Sequence, residues 1–353
     1  MGVKTISAAE AMGRIDSYDS VVDARSQSEF ALDRLPNAVN WPSLTDEERH
    51  EIGTMYVQVS PFEARKHGAA RVARNIAAHI EREVFDKSKD WQPLLYCWRG
   101  GQRSGSLALV LGQIGFRVHL LEGGYKAWRR ALVADLDELA PRIDWRVICG
   151  KTGSGKSRLL LALKDQGAQV LDLEQLARHK GSVLGNVPGE PQPSQKHFET
   201  LIWQSLRGID TSRPVFVEGE SKKIGKLQVP DSLIERMRAS PCLRLELPVP
   251  ERVKLLMEDY DYFVRDVESL ARQLDALVAL RGKAVVEGWK ASVRSGRLVE
   301  VVEELLATHY DPIYLQSMQR SFKLYAQGPE LRPATAAPSD LAEVAAQLAT
   351  PTH

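Results

Sequence analysis

Eight consecutive residues, Gly150-Lys151-Thr152-Gly153-Ser154-Gly155-Lys156-Ser157, match the pattern G-x-x-x-x-G-K-[ST] at every position. An apolar run, Trp145-Arg146-Val147-Ile148-Cys149, precedes them and a helix-forming stretch at 159–163 follows. Strand, glycine-rich turn and helix in that order open an α/β domain built on a parallel sheet. The turn also has a chemistry of its own. Its glycines let backbone N–H groups close round an anion at the helix N-terminus, Lys156 brings a point charge, and the Ser157 hydroxyl can ligate a magnesium ion. Gly150, Gly153, Ser154, Gly155, Lys156 and Ser157 are therefore assigned to a phosphate or diphosphate. A nucleoside triphosphate is the usual ligand, but the same cradle holds any diphosphate. No tightly bound cofactor is expected, and Ser157 marks the one candidate metal position.

An enzyme that hydrolyses at such a loop places an acidic residue at the end of a second strand. Asp172 follows Val170-Leu171 and Glu218 follows Val215-Phe216-Val217, so both are candidates. A surface carboxylate at a strand end is the other reading of each. Leu243-Arg244-Leu245-Glu246-Leu247 supplies a further strand of this domain.

A second turn of the same kind lies upstream. Cys97-Trp98-Arg99-Gly100-Gly101-Gln102-Arg103-Ser104 stands between the apolar run Leu94-Leu95-Tyr96 and the helical stretch Leu107-Ala108-Leu109-Val110-Leu111. Two glycines can curl the N–H groups of Trp98 to Arg103 toward one point, and the helix behind adds positive potential. Arg99 and Arg103 favour thiolate over thiol, which makes Cys97 a candidate nucleophile rather than a structural cysteine. Val21-Val22 and Val118-His119-Leu120-Leu121 read as neighbouring strands, and 63–85 as a long helix with a basic face carrying Arg65, Lys66, Arg71 and Arg74.

The chain thus divides into an α/β domain over 1–140, a phosphate-loop α/β domain over 141–250, a helical extension over 251–327 and a loosely ordered Pro/Ala-rich tail over 328–353, with a short helix after Ser339. Lys and Arg number 47 against 46 Asp and Glu, a net charge of +1, so a polyanionic partner would be gripped by local patches. His179, Lys180, Lys196, Lys222 and Lys223 are candidate contacts to RNA phosphates; solvated helix faces are the alternative. Trp98, Trp203 and Tyr310 can stack on a base or fill a core. The three cysteines, Cys97, Cys149 and Cys242, form no CxxC pair, which argues against a disulfide framework and a zinc site. With no apolar signal segment and no run of membrane-spanning length, a cytoplasmic protein is expected. The oligomeric state is left open, a monomer being sufficient.

The thiol loop resembles that of the rhodanese family of sulfurtransferases, and three other segments agree with it in order: Val21-Val22-Asp23-Ala24-Arg25, Leu35-Pro36-Asn37-Ala38-Val39-Asn40-Trp41-Pro42 and Leu121-Glu122-Gly123-Gly124-Tyr125-Lys126-Ala127-Trp128. That resemblance implies a rhodanese-like parallel-sheet domain in which Cys97 accepts a chalcogen atom and passes it on, while Asp23 and Arg25 brace the fold. A rhodanese-like domain followed by a P-loop domain is similar to the bacterial tRNA 2-selenouridine synthase family. Arg178-His179-Lys180-Gly181-Ser182, the segment from Pro191 to Glu199, Val217-Glu218-Gly219-Glu220-Ser221 and His309-Tyr310-Asp311-Pro312-Ile313-Tyr314 carry this likeness. One departure is Lys180-Gly181-Ser182-Val183-Leu184-Gly185, where an Arg and a Phe are expected.

The resemblance implies a transferase that replaces the sulfur of 2-thiouridine at the tRNA wobble position by selenium. Selenophosphate, supplied by the enzyme that makes it, and geranyl diphosphate are the implied co-substrates. Geranylation makes the sulfur a leaving group, and Cys97 carries selenium as S-selanylcysteine. The chain has no aspartate-rich DDxxD motif for a prenyl diphosphate; Glu258-Asp259-Tyr260-Asp261-Tyr262 is a distant echo, so the phosphate loop is the expected seat of the diphosphate. An ATP-dependent sulfurtransferase acting on RNA or a small molecule is the first alternative, and a non-catalytic nucleotide-responsive module the last.

Overall fold

Short runs of leucine and β-branched residues become two five-stranded sheets in the computed structural model, which describes residues 2–349. The sheets belong to two compact units, Met1–Asp135 and Leu136–His353.

In the first unit, strands β1 (Lys4–Ile6), β2 (Ser20–Asp23), β3 (Ala38–Asn40), β4 (Pro93–Tyr96) and β5 (His119–Leu121) lie in the order β1-β5-β4-β2-β3 with every pair parallel. All four residues of β4 are buried, as a strand covered on both faces requires. Val22 and Leu95 stand opposite each other in the register and pack with Trp41, Ile76, Trp91 and Leu107 in one core. The expected long helix runs over Pro61–Glu83, started by Pro61 at its first position and by the Ser60 hydroxyl, which accepts from the N–H groups of Phe62 and Glu63.

The second unit orders its sheet β12-β11-β6-β8-β7, again with every pair parallel, from β6 (Trp145–Cys149), β7 (Gln169–Leu171), β8 (Val215–Glu218), β11 (Cys242–Leu245) and β12 (Glu330–Leu331). A small antiparallel hairpin, β9 (Lys223–Ile224) with β10 (Leu227–Gln228), stands apart from it. The phosphate loop leaves central strand β6 and runs into the helix Lys156–Asp165, so it opens at the carboxyl edge where ligands of such sheets bind. The extension over 251–327 is mostly helical, as expected. Helices Val267–Leu274, Lys283–Arg294 and Leu298–Leu305 bury Leu270, Leu274, Val286, Trp289 and Val301 in a core of their own.

The expectation of a loose tail over 328–353 needs correction. The Arg244 N–H donates to Pro329 O and the Glu246 N–H to Leu331 O, each across 2.9 Å, which adds β12 to the sheet edge. Helix Pro338–Ala349 then sets Leu341, Val344 and Ala345 against Leu159, Leu160 and Leu163. Leu341, Val344, Ala345 and Leu348 recur at helical spacing, and this apolar stripe outweighs the Pro/Ala composition. Residues 350–353 of that tail lie outside the described residues. Strands β1, β3, β9, β10 and β12, of two or three residues each, were too short to show a period in the sequence. Among the described residues no helix is long and apolar enough to cross a membrane.

Candidate active site

β4 delivers Cys97 at its carboxyl end, buried, with Sγ 3.9 Å from the Gly101 carbonyl oxygen. The chain then turns through Gly100 at φ +64°, and helix Gln102–Ile114 starts with Gly101 as its N-cap. Backbone meets backbone behind the thiol. A Cβ on Gly100 would fall 2.8 Å from Leu121 O, and one on Gly124, at φ +55°, 2.3 Å from Cys97 O. The Tyr125 N–H donates to Cys97 O at 2.8 Å and the Lys126 N–H to Trp98 O at 3.1 Å, so the loop's shape is held by the turn after β5.

Aromatic and ionic groups brace this arrangement. The half-buried Trp98 stacks on Tyr125 with ring centroids 5.3 Å apart, and Arg25 lies 4.1 Å from the other ring centre of that contact, Tyr125. Arg25 and Asp23 form a fully buried ion pair at 2.6 Å, and the Tyr96 hydroxyl donates to Asp23 Oδ2 at 2.6 Å. The expectation that both loop arginines add positive potential at Cys97 is corrected for one of them. Arg103 is turned to Glu29 at 2.8 Å, which balances its charge, whereas Arg99 is exposed; Gln102 is also exposed.

In the second unit Gly153 and Gly155 adopt φ +77° and +86°, backbone that side chains disfavour. Lys156 Nζ donates to Gly150 O at 2.7 Å and the Gly150 N–H donates to the Tyr314 hydroxyl at 2.5 Å. The loop is held from behind by Arg252, whose Nε and Nη2 donate to Thr152 O at 2.9 and 2.8 Å while the same guanidinium pairs with Asp311 at 2.6 Å. Ser154 Oγ is buried with no protein partner.

Four carboxylates gather beside this loop, and their roles differ from the expectation. Asp172 caps helix Leu173–Ala177 by accepting from the Gln175 N–H at 2.8 Å. Glu218 is buried and accepts from the Glu174 N–H at 2.7 Å, its other oxygen without a partner. The group that meets Ser157 is Glu174, at 3.2 Å, and Glu220 stands against it across Gly181, where a Cβ would fall 2.4 Å from Glu174 Oε1 and 2.9 Å from Glu220 Oε2. Burial, then repulsion from Glu220, pushes Glu174 up to about 8. Burial above all lifts Asp172, Glu218 and Glu220 as well. Sequence reasoning missed Glu174, Glu220, Arg252 and Tyr314. Glu220 and Tyr314 stand inside the family-like segments 217–221 and 309–314, but nothing local in the sequence shows what they touch.

The phosphate loop borders a cleft of about 820 Å³ that Lys156, Ser157, Asp172, Glu174, Glu220 and Tyr310 help to line. The proposed RNA-contact residues scatter around it. His179 is buried, its pKa lowered by desolvation, and lines the cleft wall rather than an outer surface. Lys180 donates to Asp259 O and sits 4.3 Å over the Tyr260 ring, also inside the cleft. Lys196, Lys222 and Lys223 are exposed, with Lys222 paired to Asp231 at 2.6 Å. Trp203 is core. Cys149 and Cys242 are buried free thiols, and Cys242 Sγ lies 3.8 Å from Ser240 O.

Comparison with known proteins covers both units. Residues 7–131 match the rhodanese-like domain family and residues 143–284 the family described as tRNA 2-selenouridine synthase AAA domain. Proteins named tRNA 2-selenouridine synthase are similar along most of the chain. The one from Nitrosomonas europaea is 32% identical over 345 residues, covering 85% of this chain and 89% of its own. That from Cupriavidus necator is 34% identical over 343 residues, covering 88% and 91%, and that from Alcanivorax borkumensis 31% over 333 residues, covering 85% and 90%.

Proposed function

The chain belongs to the tRNA 2-selenouridine synthase family, and from that premise we propose that it is a transferase exchanging the sulfur of wobble-position 2-thiouridine for selenium in two steps, one at each loop. The observation that carries this is the pairing, in one chain, of a thiol at the end of β4 with a lysine-bearing anion cradle at the end of β6.

Exchange at a thiocarbonyl carbon needs a leaving group, because a bare thiolate departs poorly. In the first step the sulfur attacks C1 of geranyl diphosphate, a C–S bond forms, the C–O bond breaks, the N3 proton of the base passes to solvent, and diphosphate leaves onto the N–H groups of the phosphate loop and Lys156. Glu174, pushed up to about 8, holds its proton near neutrality and so does not repel that anion, and burial raises Glu220 in the same direction. The Ser157 hydroxyl is a hard oxygen donor of the kind magnesium accepts together with ligand phosphates. A bound magnesium ion would supply charge neutralisation for the diphosphate. In the second step selenium replaces the alkylated sulfur at C2 of the base without change of oxidation state: water takes the phosphoryl group of selenophosphate, the Se–P bond breaks and phosphate leaves, the C2–Se bond forms, and the C2–S bond breaks with geranylthiol leaving, Cys97 at the end of β4 being the residue that handles the selenium.

Nucleoside mass spectrometry of tRNA tests the reading in cells lacking this protein and complemented with wild type or Cys97→Ser. Expected are loss of 2-selenouridine without the protein, its recovery with wild type, and accumulation of geranylated 2-thiouridine with Cys97→Ser. Unchanged selenouridine and geranylated thiouridine on deletion would refute it, and loss of both products with Cys97→Ser would refute the division between the loops.

A further inference from the structure

Thr152, Ser182, Leu256, Tyr260 and Tyr310 border two spaces at once. On one side lies the phosphate cleft. On the other is a second, smaller void of about 70 Å³ within the helical part of the second unit.

The distribution of polarity around this void is uneven. Its four lining residues with a side-chain hydroxyl, Thr152, Ser182, Tyr260 and Tyr310, all stand at the neck shared with the cleft. Residues that meet the void alone, among them Phe263, Leu270, Leu298, Val301, Val302 and Leu305, are entirely apolar. Ser182 stands beside both Tyr260 and Tyr310, which groups the polar side chains at the boundary. Tyr310 reaches it from a π-helical turn at Leu306–Tyr310, the type of helix irregularity that recurs where a side chain must be re-aimed at a site.

Protein interiors are close-packed, so an apolar void beside an anion cradle is a space held open. Its chemistry selects the occupant. A nucleobase or ribose entering it would bring several donors and acceptors and find no partner beyond the neck, whereas a hydrocarbon chain loses nothing there. We infer that this void seats the allylic chain of the diphosphate donor, with the diphosphate on Lys156 and Ser157, and that Leu270, Val301 and Val302 set the chain length accepted. The inference rests on the reading that the phosphate loop takes a prenyl diphosphate.

The test is calorimetric binding of geranyl, dimethylallyl and farnesyl diphosphates and inorganic pyrophosphate to the full-length protein. Geranyl diphosphate should bind at least tenfold tighter than pyrophosphate. Val302→Trp, which fills the void from a partly buried position, should erase that advantage while leaving pyrophosphate affinity within twofold. Leu270→Ala should act in the opposite direction and raise affinity for the farnesyl chain relative to geranyl. A wild-type protein that binds pyrophosphate as tightly as geranyl diphosphate, or a pair of variants that leave chain preference unchanged, overturns the assignment. If the chain binds as described but 2-thiouridine RNA is not prenylated, the activity falls and the seat stands. If RNA is prenylated while Val302→Trp keeps full chain affinity, the seat alone falls.

Discussion

The Ser157 hydroxyl donates to the Glu174 carboxylate across 3.2 Å. The contact joins the first turn of the phosphate-loop helix to a residue seventeen positions later, and through Glu174 to a buried carboxylate group with more acid than base around it.

That imbalance makes stability depend on pH. Burial, then Glu220, pushes Glu174 up to about 8 from an ordinary 4.5, so between those values the folded chain holds a proton that the unfolded chain has released. Its contribution is complete below about 4.5 and is lost as pH climbs through about 8. Asp172, Glu218 and Glu220 are shifted the same way, each chiefly by burial. Scanning calorimetry should show the transition of the second unit falling between about pH 5 and 8, by roughly 2–4 °C for each kcal/mol lost. Glu174→Gln should flatten the slope; an unchanged slope speaks against the assignment.

Lys156 reaches Gly150 O and leaves no buried charge behind when removed. Lys156→Ala should therefore fold with a transition within about 2 °C of wild type, yet bind pyrophosphate roughly 10- to 100-fold more weakly, the worth of one charge-assisted hydrogen bond. Titration calorimetry measures both affinities.

Arg252 is buried and serves Thr152 O and Asp311 together. Arg252→Met strands both acceptors, for a cost of about 3–5 kcal/mol and a fall in Tm on the order of 10 °C. Arg252→Lys keeps the charge but not the fork, and should lie between the two. Equal Tm for Met and wild type would show that the pair does not hold the loop.

Gly124 and Gly101 offer a matched pair at the thiol loop. Gly124→Ala drives a Cβ to within 2.3 Å of Cys97 O, whereas a Cβ on Gly101 meets nothing within 4 Å at an ordinary φ of −96°. Alkylation of Cys97 by iodoacetamide, followed by peptide mass spectrometry, should change several-fold in Gly124→Ala and stay near wild type in Gly101→Ala. Pyrophosphate binding should be unaffected in both.

What could be read from the chain alone was chemistry contained within eight consecutive residues. Cys97 with its glycines, and Lys156 with Ser157, declare themselves because strand, turn and helix are contiguous and the turn's backbone is both the scaffold and the ligand. Strands β2, β4, β6 and β8 were legible for the same reason, as unbroken apolar runs buried on both faces. The partners that complete each loop were not. Tyr314 meets Gly150 from 164 positions away, Arg252 meets Thr152 from 100, and Glu174 displaced Asp172 and Glu218 at Ser157 only because Asp172 was spent on a helix cap and Glu218 on a backbone N–H. The tail was misjudged because proline and alanine content masked a stripe whose meaning depends on the surface it covers. Local backbone chemistry is written in short spacing; charge balance, loop support and the void beside the phosphate site arise from side chains that meet only when distant segments pack, and those the tertiary structure alone decided.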